Sequence, residues 1–496
     1  MIRDRSRYLV ALGLAVVAGR LAGLCFGVLN VDEAEFCTIG KMICRGALSY
    51  VDIAEFKPPL THLAFAPAGF FGGPSIVPMR VLGLFWVFAT ALVCERAARL
   101  FAGAAGSETR GSAELAGRCA AFLSLLAGFC EVPSTSAEML MNLPAAGALF
   151  FFVRAEREGR LRDDGLAGLC VGLASLFKHQ GAILMVAFGL SRLWGFARGE
   201  QKFQLQRYLA MASGFAAPWA VAIGVWTAAG HLDDFVEWMV LRNLSYARKA
   251  SIFSPSRAVA TIATCIAGTL VPWALAARES VKRGDPARRG LSLALWLTWL
   301  AVAAGGRFYE HYFLQFVPVL AILGAPLAAE LWQRRSRAWL AAIAITFAGY
   351  TGYTLARGLT GHYPNQDQKI LAVADWLRLN TAPAERLFVW GHAPQIYYLS
   401  KRPPGTRYLT AATQMGGFDP SQLPRGFDVG ATRSLRDLQL LIRDLQSTQV
   451  VVDTSPADIH DWARVPLDRF PELDSYLAAN YSLIGSPAGT RVYRRR

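Results

Sequence analysis

Charged residues are scarce in this chain. They make up 18% of the 496 residues, whereas hydrophobic residues make up 53%. A typical soluble domain has roughly 25% charged residues. At roughly 150 residues per domain the length alone would suggest three soluble domains. The shortage of charge argues against that reading and indicates a membrane protein.

Motifs for metal or nucleic-acid binding are also lacking. None of the eight cysteines forms a CxxC pair or a spacing typical of metal ligands. Cys37 and Cys44 would lie roughly 10 Å apart on one helix, which is too far for a disulfide. We therefore interpret the cysteines as small apolar residues of helices. No RNA- or DNA-binding motif is visible, although the formal net charge is +15.

Long apolar runs, by contrast, are abundant and predict a polytopic α-helical protein with about eleven transmembrane helices. They cover 8–29, 79–95, 117–131, 138–153, 165–178, 181–197, 208–229, 258–277, 290–305, 312–332 and 338–356. The first run is longer than the core of a signal peptide and lacks a clean A-x-A site, so it predicts a retained span. The shorter run 59–72, broken by Pro67 and Gly69, predicts a re-entrant or interfacial piece or an extension of the second span.

Basic residues follow every second span. Arginine and lysine are frequent before span one and after spans two, four, six, eight and ten, whereas the exits "EVPSTSAE", "KHQ" and "GGRFYEHY" hold few. The positive-inside rule then places the N-terminus in the cytoplasm and the odd-numbered exits outside. The positive charge is mostly a topology signal, and we expect a multi-pass protein of the cytoplasmic (inner) membrane.

Residues 358–496 have a different pattern. Helical stretches such as "DQKILAVADWLRLN" alternate with the strand-like stretches "RLFVW", "TRYLT", "QVVVD" and "TRVYR". This alternation predicts a soluble α/β domain, which lies outside the cytoplasm after eleven spans. Its lack of a Gly-rich phosphate loop argues against a nucleotide site. We therefore predict a transmembrane domain over 1–357 and an extracytoplasmic domain over 358–496.

The first outer loop gathers charge at a membrane boundary. "VDEAEF" contains Asp32, Glu33 and Glu35, and "DIAEFKPPL" adds Glu55 and Lys57. A charge at the bilayer centre costs about 2.5–3.5 kcal/mol or more, so these groups are expected at or above the interface. The pattern after Asp32 places it at a helix start, and the prolines after Lys57 suit another. A lysine beside a helix start favours an anion site. The alternative is a solvated loop. Glu35 is interpreted as structural.

These motifs resemble a known family. "VDEAEF" followed by "EFKPPLTHLAF" is similar to the first loop of the GT-C polyprenyl-phosphate-sugar glycosyltransferases, which include protein O-mannosyltransferase-like enzymes and lipid A aminoarabinose transferases. The resemblance continues through "SAEMLMNLPAAGALFFFVRA", "GLASLFKHQGAILM" and "GGRFYEHYFLQFVPVLA", and so covers most of residues 1–357. It implies an inverting transfer of a sugar from a polyprenyl monophosphate to a protein, lipid A or an envelope glycan outside the cytoplasmic membrane.

The resemblance also implies roles in the first loop. Asp32 matches the catalytic base, and Glu33 its neighbour in support or in contact with the acceptor. Lys57 matches the lysine that binds the donor phosphate. The glutamate of the family's "EKPP" form is expected to contact sugar or metal. In this sequence Phe56 separates Glu55 from Lys57, so Glu55 lies one residue away from that position. A divalent metal ion therefore stays open as a cofactor, with unknown ligands.

Further donor phosphate contacts are implied at other outer positions. Lys178 closes span five and Arg307 precedes span ten. Relatives also use an arginine of the loop 231–257, which here is either Arg242 or Arg248. The alternatives are interfacial snorkelling for Lys178 and membrane-surface binding for the loop arginines.

Sugar or acceptor contacts are implied for Glu138, His179, His311 and Tyr312. Glu138 lies at the start of span four, where a helix-start carboxylate is the alternative. Interfacial snorkelling is the alternative for His179. His311 and Tyr312 match the family's "HYF" region, and a buried structural histidine is the alternative there.

Two other classes of function stay open. A transporter or flippase of lipid-linked saccharides would place polar residues near midplane, often in broken helices, whereas these acids lie in loops. A non-catalytic assembly partner is the other class, against which the intact Asp32 and Lys57 argue.

Arg20, in the middle of span one, indicates an inward-facing, paired side chain. The expected partners are a lipid-linked sugar, an acceptor shaped by the outer domain, and membrane lipids, without nucleic acid.

Overall fold

A computed structural model describes residues 2–70, 76–103, 110–248, 255–282, 285–418, 420, 423–424 and 426–496. Its first part is almost entirely helical. The helices are α1 (Ile2–Gly19), α2 (Leu21–Cys25), α3 (Val31–Cys44), α4 (Pro59–Ala64), α5 (Pro67–Phe70), α6 (Val77–Gly103), α7 (Arg110–Ala127), α8 (Ala137–Glu158), α9 (Leu161–Phe177), α10 (Ile183–Ala197), α11 (Leu205–Ala228), α12 (Leu232–Val236), α13 (Arg242–Arg248), α14 (Pro255–Gly268), α15 (Leu270–Ser280), α16 (Pro286–Ala303), α17 (Val317–Gln333) and α18 (Arg337–Leu359).

Helix covers all or part of every predicted apolar segment. Judged by length and composition, five helices among the described residues could each cross a membrane. They are Val77–Gly103, His179–Ala197, Leu205–Ala228, Glu310–Gln333 and Arg337–Gln366. The pair α14 and α15, bent by 90°, adds a sixth if it is one span. The full count of eleven stays a prediction.

The first predicted span is broken at Arg20. Helix α1 ends at Gly19 and α2 begins at Leu21. Arg20 donates from Nη2 to the carbonyl oxygen of Ser134 at 2.9 Å, in the loop before α8. A Cβ on Gly83 would lie 2.9 Å from the same nitrogen, so a small residue is needed beside the guanidinium. This geometry agrees with the paired, inward-facing side chain that the sequence predicts for Arg20.

The C-terminal segment combines short helices with one small sheet. Its elements are α19 (Gln368–Asn380), β1 (Leu387–Trp390), α20 (Gln395–Ser400), α21 (Leu435–Leu445), β2 (Val450–Asp453), α22 (Pro471–Asn480), β3 (Tyr481–Gly485) and β4 (Arg491–Arg495). The strand order is β1-β2-β4-β3. Strands β1 and β2 are parallel, and the other two neighbouring pairs are antiparallel. Both strands of the parallel pair are fully buried, as expected from their apolar residues, which are interrupted only by Asp453 at the end of β2.

The strand predicted over "TRYLT" (406–410) is wrong. The N–H of Arg407 donates to Asp444 Oδ2 at 3.0 Å, and its carbonyl oxygen accepts from Ala54 N at 2.8 Å. This backbone therefore bonds to a side chain and to the first outer loop instead of a neighbouring strand. Strand β3, which the sequence analysis did not identify, follows α22 directly.

The C-terminal segment packs on the helical part through shared apolar clusters. In one cluster Tyr50, Trp226 and Phe235 pack with Phe388 and Trp390 of β1. A larger cluster likewise contains residues of both parts. Because the core is continuous across this contact, residues of the C-terminal segment are held at fixed positions against the first outer loop.

Candidate active site

A cavity of about 940 Å³ lies where the first loop, several helix ends and the C-terminal segment meet. Its size falls within the range of roughly 300–1,000 Å³ that is usual for small-molecule sites. Most of the predicted site residues line it. These are Asp32, Glu55, Lys57, Lys178, His179, Arg307, His311 and Tyr312.

Asp32 is held at the start of α3 by a capping contact. Asn30 Oδ1 accepts from the N–H of Asp32 at 2.9 Å, so the helix begins where the sequence pattern predicts. The side chain is 30% exposed and lines the cavity. Burial raises the pKa of this carboxyl, but Lys57, His311 and His392 outweigh it and hold the pKa below its ordinary value. Asp32 therefore presents an ionised carboxylate to the cavity.

Lys57 lies between two carboxylates. Its Nζ is 3.8 Å from Asp32 Oδ2 and 3.7 Å from Glu55 Oε1. Glu55 Oε1 also accepts from the N–H of Lys57 at 3.0 Å, so the turn is braced despite the intervening Phe56. Burial lowers the pKa of the ammonium, but Glu55 and Asp32 raise it well above its ordinary value. The cation of the proline-flanked motif thus stays charged inside the cavity.

Glu35, which the sequence analysis interprets as structural, also lines the cavity. Burial, followed by the charges of Glu55 and Asp32, raises the pKa of Glu35 well above its ordinary value. A carboxyl group that keeps its proton to higher pH can donate a hydrogen bond as well as accept one. We call Asp32, Glu35, Glu55 and Lys57 the loop wall of the cavity.

A second cation, Lys178, lies beside the loop wall. Its Nζ makes a short contact with Glu138 Oε1 and lies 4.4 Å from the centre of the Tyr312 ring. His311 Nε2 is 3.8 Å from the same Glu138 oxygen, and His311 Nδ1 is 3.9 Å from Glu131 Oε2. Glu138 is 1% exposed and does not itself line the cavity. Glu138 therefore lies behind the cavity lining, where its carboxylate orients Lys178 and His311, and its contact with sugar or acceptor stays a prediction.

Glu33 does not line the cavity either. Its carboxylate accepts from Arg80 Nη1 at 2.6 Å, Arg80 Nη2 at 2.8 Å, Leu29 N at 3.0 Å and Thr135 N at 2.8 Å. Only 1% of Glu33 is exposed. Of the two roles predicted for Glu33, support of Asp32 or contact with the acceptor, these surroundings favour support, because four donors surround a buried carboxylate that ties α3 to α6.

The predicted arginines have different surroundings. Arg307 lines the cavity and donates from Nη2 to the carbonyl oxygen of Gly417 at 3.0 Å. Arg242 is absent from the lining and pairs with Asp437 at 2.7 and 2.9 Å and with Glu237 at 2.9 Å. In this arrangement Arg242 joins the helical part to α21, and its phosphate contact stays a prediction. The side chain of Arg248 lies outside the described residues.

The C-terminal segment supplies a further side of the cavity, and sequence reasoning did not identify the residues that form it. His392, His460 and Asp461 line it, and we call these three residues the C-terminal wall. His392 closely follows β1, and the other two lie in the connection after β2. Polar residues after neighbouring parallel strands are the signal that could have identified them, because ligands bind at the carboxyl ends of such strands.

The side chains of the site do not fit a metal centre. The described residues contain no group of three or more His, Cys, Asp or Glu side chains placed to hold a metal ion. Lys57 lies within ion-pair distance of Asp32 and Glu55, and Lys178 contacts Glu138. The positive charge that a metal would contribute beside these carboxylates is supplied by the two lysines.

Comparisons with known proteins bear on the fold. No family model matches the sequence, and no curated protein matches it. Among solved structures, ArnT from Cupriavidus metallidurans bound to undecaprenyl phosphate is similar, with a TM-score of 0.59, 15% identity and coverage of 99% of this chain and 98% of that one. The oligosaccharyltransferase AglB from Archaeoglobus fulgidus, in complex with an inhibitory peptide and a dolichol-phosphate, gives a TM-score of 0.56 and 13% identity over 99% and 74%.

These likenesses extend over nearly the whole chain. ArnT in the apo state is similar to the same extent, with a TM-score of 0.57 and 15% identity. The fold is therefore that of the GT-C class, as the motifs of the first loop predict. The TM-scores establish the fold. Because the identities are low, the activity has to be argued from the chemistry of the site.

Proposed function

We propose that this protein is an inverting glycosyltransferase that moves a sugar from a polyprenyl monophosphate to an acceptor hydroxyl outside the cytoplasmic membrane. The observation that carries the proposal is the pair of Asp32 and Lys57, 3.8 Å apart on the wall of a large cavity. A carboxylate base and a cation for the departing phosphate are the groups that this reaction needs. The likeness to a protein bound to undecaprenyl phosphate supports this class of donor.

In the proposed reaction the acceptor oxygen forms a bond to the anomeric carbon, on the face opposite the phosphate. Asp32 accepts the proton of the acceptor hydroxyl as this bond forms. The bond between the anomeric carbon and the phosphate oxygen breaks, and the phosphate leaves with the electron pair. Lys57 and Lys178 stabilise the charge that develops on it. A single displacement of this kind inverts the anomeric configuration.

The remaining residues of the cavity bind and orient in this proposal. Arg307 adds positive charge toward the lipid phosphate. Glu35 and Glu55 hold sugar hydroxyls, and His311 and Tyr312 flank Lys178. His179 lines the same cavity, and its Nε2 is buried without a hydrogen-bond partner among the residues that the structure describes, so it is available to a bound sugar or phosphate.

The arrangement in the membrane is part of the same proposal. Eleven spans, with the N-terminus in the cytoplasm, place the first loop and the C-terminal segment on one side. The transmembrane domain then covers 1–357, and the extracytoplasmic domain covers 358–496. Both contribute to one cavity, which opens where a lipid-linked donor and an extracytoplasmic acceptor can meet.

Transfer by the purified protein in lipid vesicles tests the proposal. A panel of radiolabelled polyprenyl-phosphate sugars, carrying mannose, aminoarabinose, galacturonic acid or arabinose, is supplied with an envelope extract that contains glycans, lipids and proteins. We expect label transfer from at least one donor, and a loss of about 10²–10⁴-fold in rate for Asp32→Asn. Asp52→Asn is the matched control, because Asp52 caps the same loop by accepting from Leu48 N at 2.8 Å and does not line the cavity.

Two results would overturn this assignment. Normal transfer by Asp32→Asn would remove Asp32 as the base. Movement of the labelled lipid across the bilayer, without release of sugar from any donor, would identify a flippase.

A further inference from the structure

The C-terminal wall lies at the carboxyl ends of two parallel strands. Strands β1 and β2 pair in register from Leu387 with Val450 to Trp390 with Asp453. Just beyond, Thr454 Oγ1 donates to the carbonyl oxygen of Trp390 at 2.8 Å. A Cβ on Gly391 would lie 2.2 Å from this hydroxyl, so only glycine permits the close approach. The two connections that follow the strands are therefore held together where they reach the cavity.

The connection after β2 adopts an unusual backbone at the cavity. Asp458, His460 and Asp461 have φ angles of 51°, 56° and 60°. Residues other than glycine rarely adopt this left-handed conformation, and such strain persists where the surrounding structure holds it, often at ligand sites. Here Asp458 Oδ1 accepts from Ala463 N at 3.0 Å, which closes the turn. The turn places His460 and Asp461 along the cavity.

Hydrogen bonding defines what the two histidines offer to a ligand. His460 Nδ1 lies 2.8 Å from the carbonyl oxygen of His392. Since a carbonyl oxygen only accepts, His460 Nδ1 carries a proton, and Nε2 is the ring nitrogen left for a ligand. His392 Nδ1 is buried and has no partner among the residues that the structure describes. This wall therefore presents ring nitrogens and a carboxylate, with Thr410 and Thr413 close by in the lining.

The chemistry of this wall suits a saccharide better than a peptide. Side chains that donate and accept hydrogen bonds, next to the apolar ring of Phe418, match the hydroxyls and apolar face of a sugar ring. An extended peptide commonly adds to a free sheet edge. The edge at β1 is already covered, because Leu387 N donates to Pro403 O at 2.8 Å and Gly405 N donates to Leu387 O at 2.7 Å.

The C-terminal wall also faces the base of the proposed reaction. His392 is one of the groups that lower the pKa of Asp32, after Lys57 and His311, so it lies close enough to act on that carboxylate. The two lysines that suit a phosphate belong to the helical part of the chain. An acceptor held by the C-terminal wall would therefore lie in the same cavity as Asp32, which could accept the proton of its hydroxyl.

We propose that His392, His460 and Asp461 form the acceptor subsite and that the acceptor is a saccharide. This inference rests on the proposed transferase function and deepens it. The three residues bind and position the acceptor, and they take no part in releasing the lipid phosphate.

Kinetics with separate donor and acceptor readouts test the inference. Full-length protein in vesicles is given the donor found active in the panel, with either methyl glycosides and short oligosaccharides or Ser/Thr-containing peptides as acceptors. His392→Gln and Asp461→Asn are compared with Asp458→Asn, a control in the same turn that is absent from the cavity lining. Asparagine suits the control because it tolerates left-handed backbone. Slow hydrolysis of the donor by water, without acceptor, reports on the donor side alone.

We expect transfer to saccharides, with the acceptor KM raised about three- to tenfold in His392→Gln and in Asp461→Asn. The donor KM and the thermal unfolding of both variants should equal those of the wild type, and Asp461→Asn should also hydrolyse the donor at the wild-type rate. Asp458→Asn should leave every parameter unchanged. A raised donor KM, slowed hydrolysis in Asp461→Asn, an unchanged acceptor KM, or transfer to peptides but not to saccharides would overturn the inference. A wild-type protein that neither transfers nor hydrolyses any donor would instead overturn the proposed function, and the inference with it.

Discussion

On the loop wall of the cavity, the carboxylates of Asp32 and Glu55 both lie within 3.8 Å of the Lys57 ammonium, so opposite charges are paired. On the C-terminal wall, His392 and His460 present ring nitrogens, and one of these is already used by a backbone carbonyl. The loop wall comes from one short stretch of chain, whereas the C-terminal wall is assembled from two connections after strands. The difference separates two tasks: paired charges suit bond making and breaking, whereas ring nitrogens with a single carboxylate suit the selection of a ligand.

The largest effect is expected from removing the buried support of the loop wall. Arg80→Met leaves the Glu33 carboxylate without the guanidinium that contacts both of its oxygens. Breaking a buried ion pair by removing one partner costs about 3–5 kcal/mol. We expect the free energy of unfolding to fall by this amount, measured by denaturation in detergent.

Arg242→Met is the matched control on the C-terminal side. The Arg242 side chain is 22% exposed, against 4% for Arg80, so water screens its ion pair with Asp437 more strongly. The loss should be smaller than for Arg80→Met. Equal losses would contradict the idea that the loop wall depends more strongly on its buried ion pair.

A somewhat smaller effect is expected from Lys57→Gln. Loss of a cation aimed at the developing phosphate charge should lower kcat by about 10²–10³-fold. Lys57 also lowers the pKa of Asp32, so its removal raises that pKa. Asp32 then takes up its proton at higher pH, and the acid limb of kcat/KM moves to higher pH. Lys57→Arg keeps the charge and should leave this limb in place; an unmoved limb in Lys57→Gln would contradict the coupling.

Glu35→Gln should change the pH dependence of stability by a smaller amount. The pKa of Glu35 is raised in the folded protein, so between its ordinary value of about 4.3 and the raised value the folded state binds more protons than the unfolded state. Stability from this group is therefore lost as pH rises. The variant should unfold at a higher temperature than the wild type near about pH 8 and differ little near about pH 4. A difference confined to low pH would show the opposite sign.

No effect is expected from metal removal. The carboxylates of the loop wall face Lys57, and the described residues contain no cluster suited to a metal ion. Transfer should proceed at the same rate after treatment with EDTA. A loss of activity that added Mg²⁺ or Mn²⁺ restores would show that side-chain cations do not suffice.

Much of the fold could be predicted because helix is a local property. Apolar runs and their flanking charges predict helices, and helix covers all or part of each predicted segment. Most elements of the C-terminal segment also lie where their patterns predict. The strand over 406–410 failed because Asp444 and the first outer loop compete for the backbone of Arg407. Propensity alone does not report such distant partners.

The site divides in the same way. Asp32 and Lys57 could be predicted from two short motifs, and both line the cavity. Glu33, next to Asp32 on α3, could not be assigned, because neighbouring positions on a helix point in directions roughly 100° apart. Which of the two faces the cavity depends on where Arg80 of α6 packs.

By itself the sequence determined the membrane class, the helical segments, the charged first loop and the resemblance to GT-C proteins. These depend on composition, periodicity and contiguous motifs, which act over short stretches of chain. Only the tertiary structure decided that Glu33 and Arg242 form ion pairs with residues of distant segments and that Glu35 lines the cavity. It also brought His392, His460 and Asp461 to the same cavity as Asp32. Such meetings depend on which faces of distant elements pack together, and no local pattern encodes them.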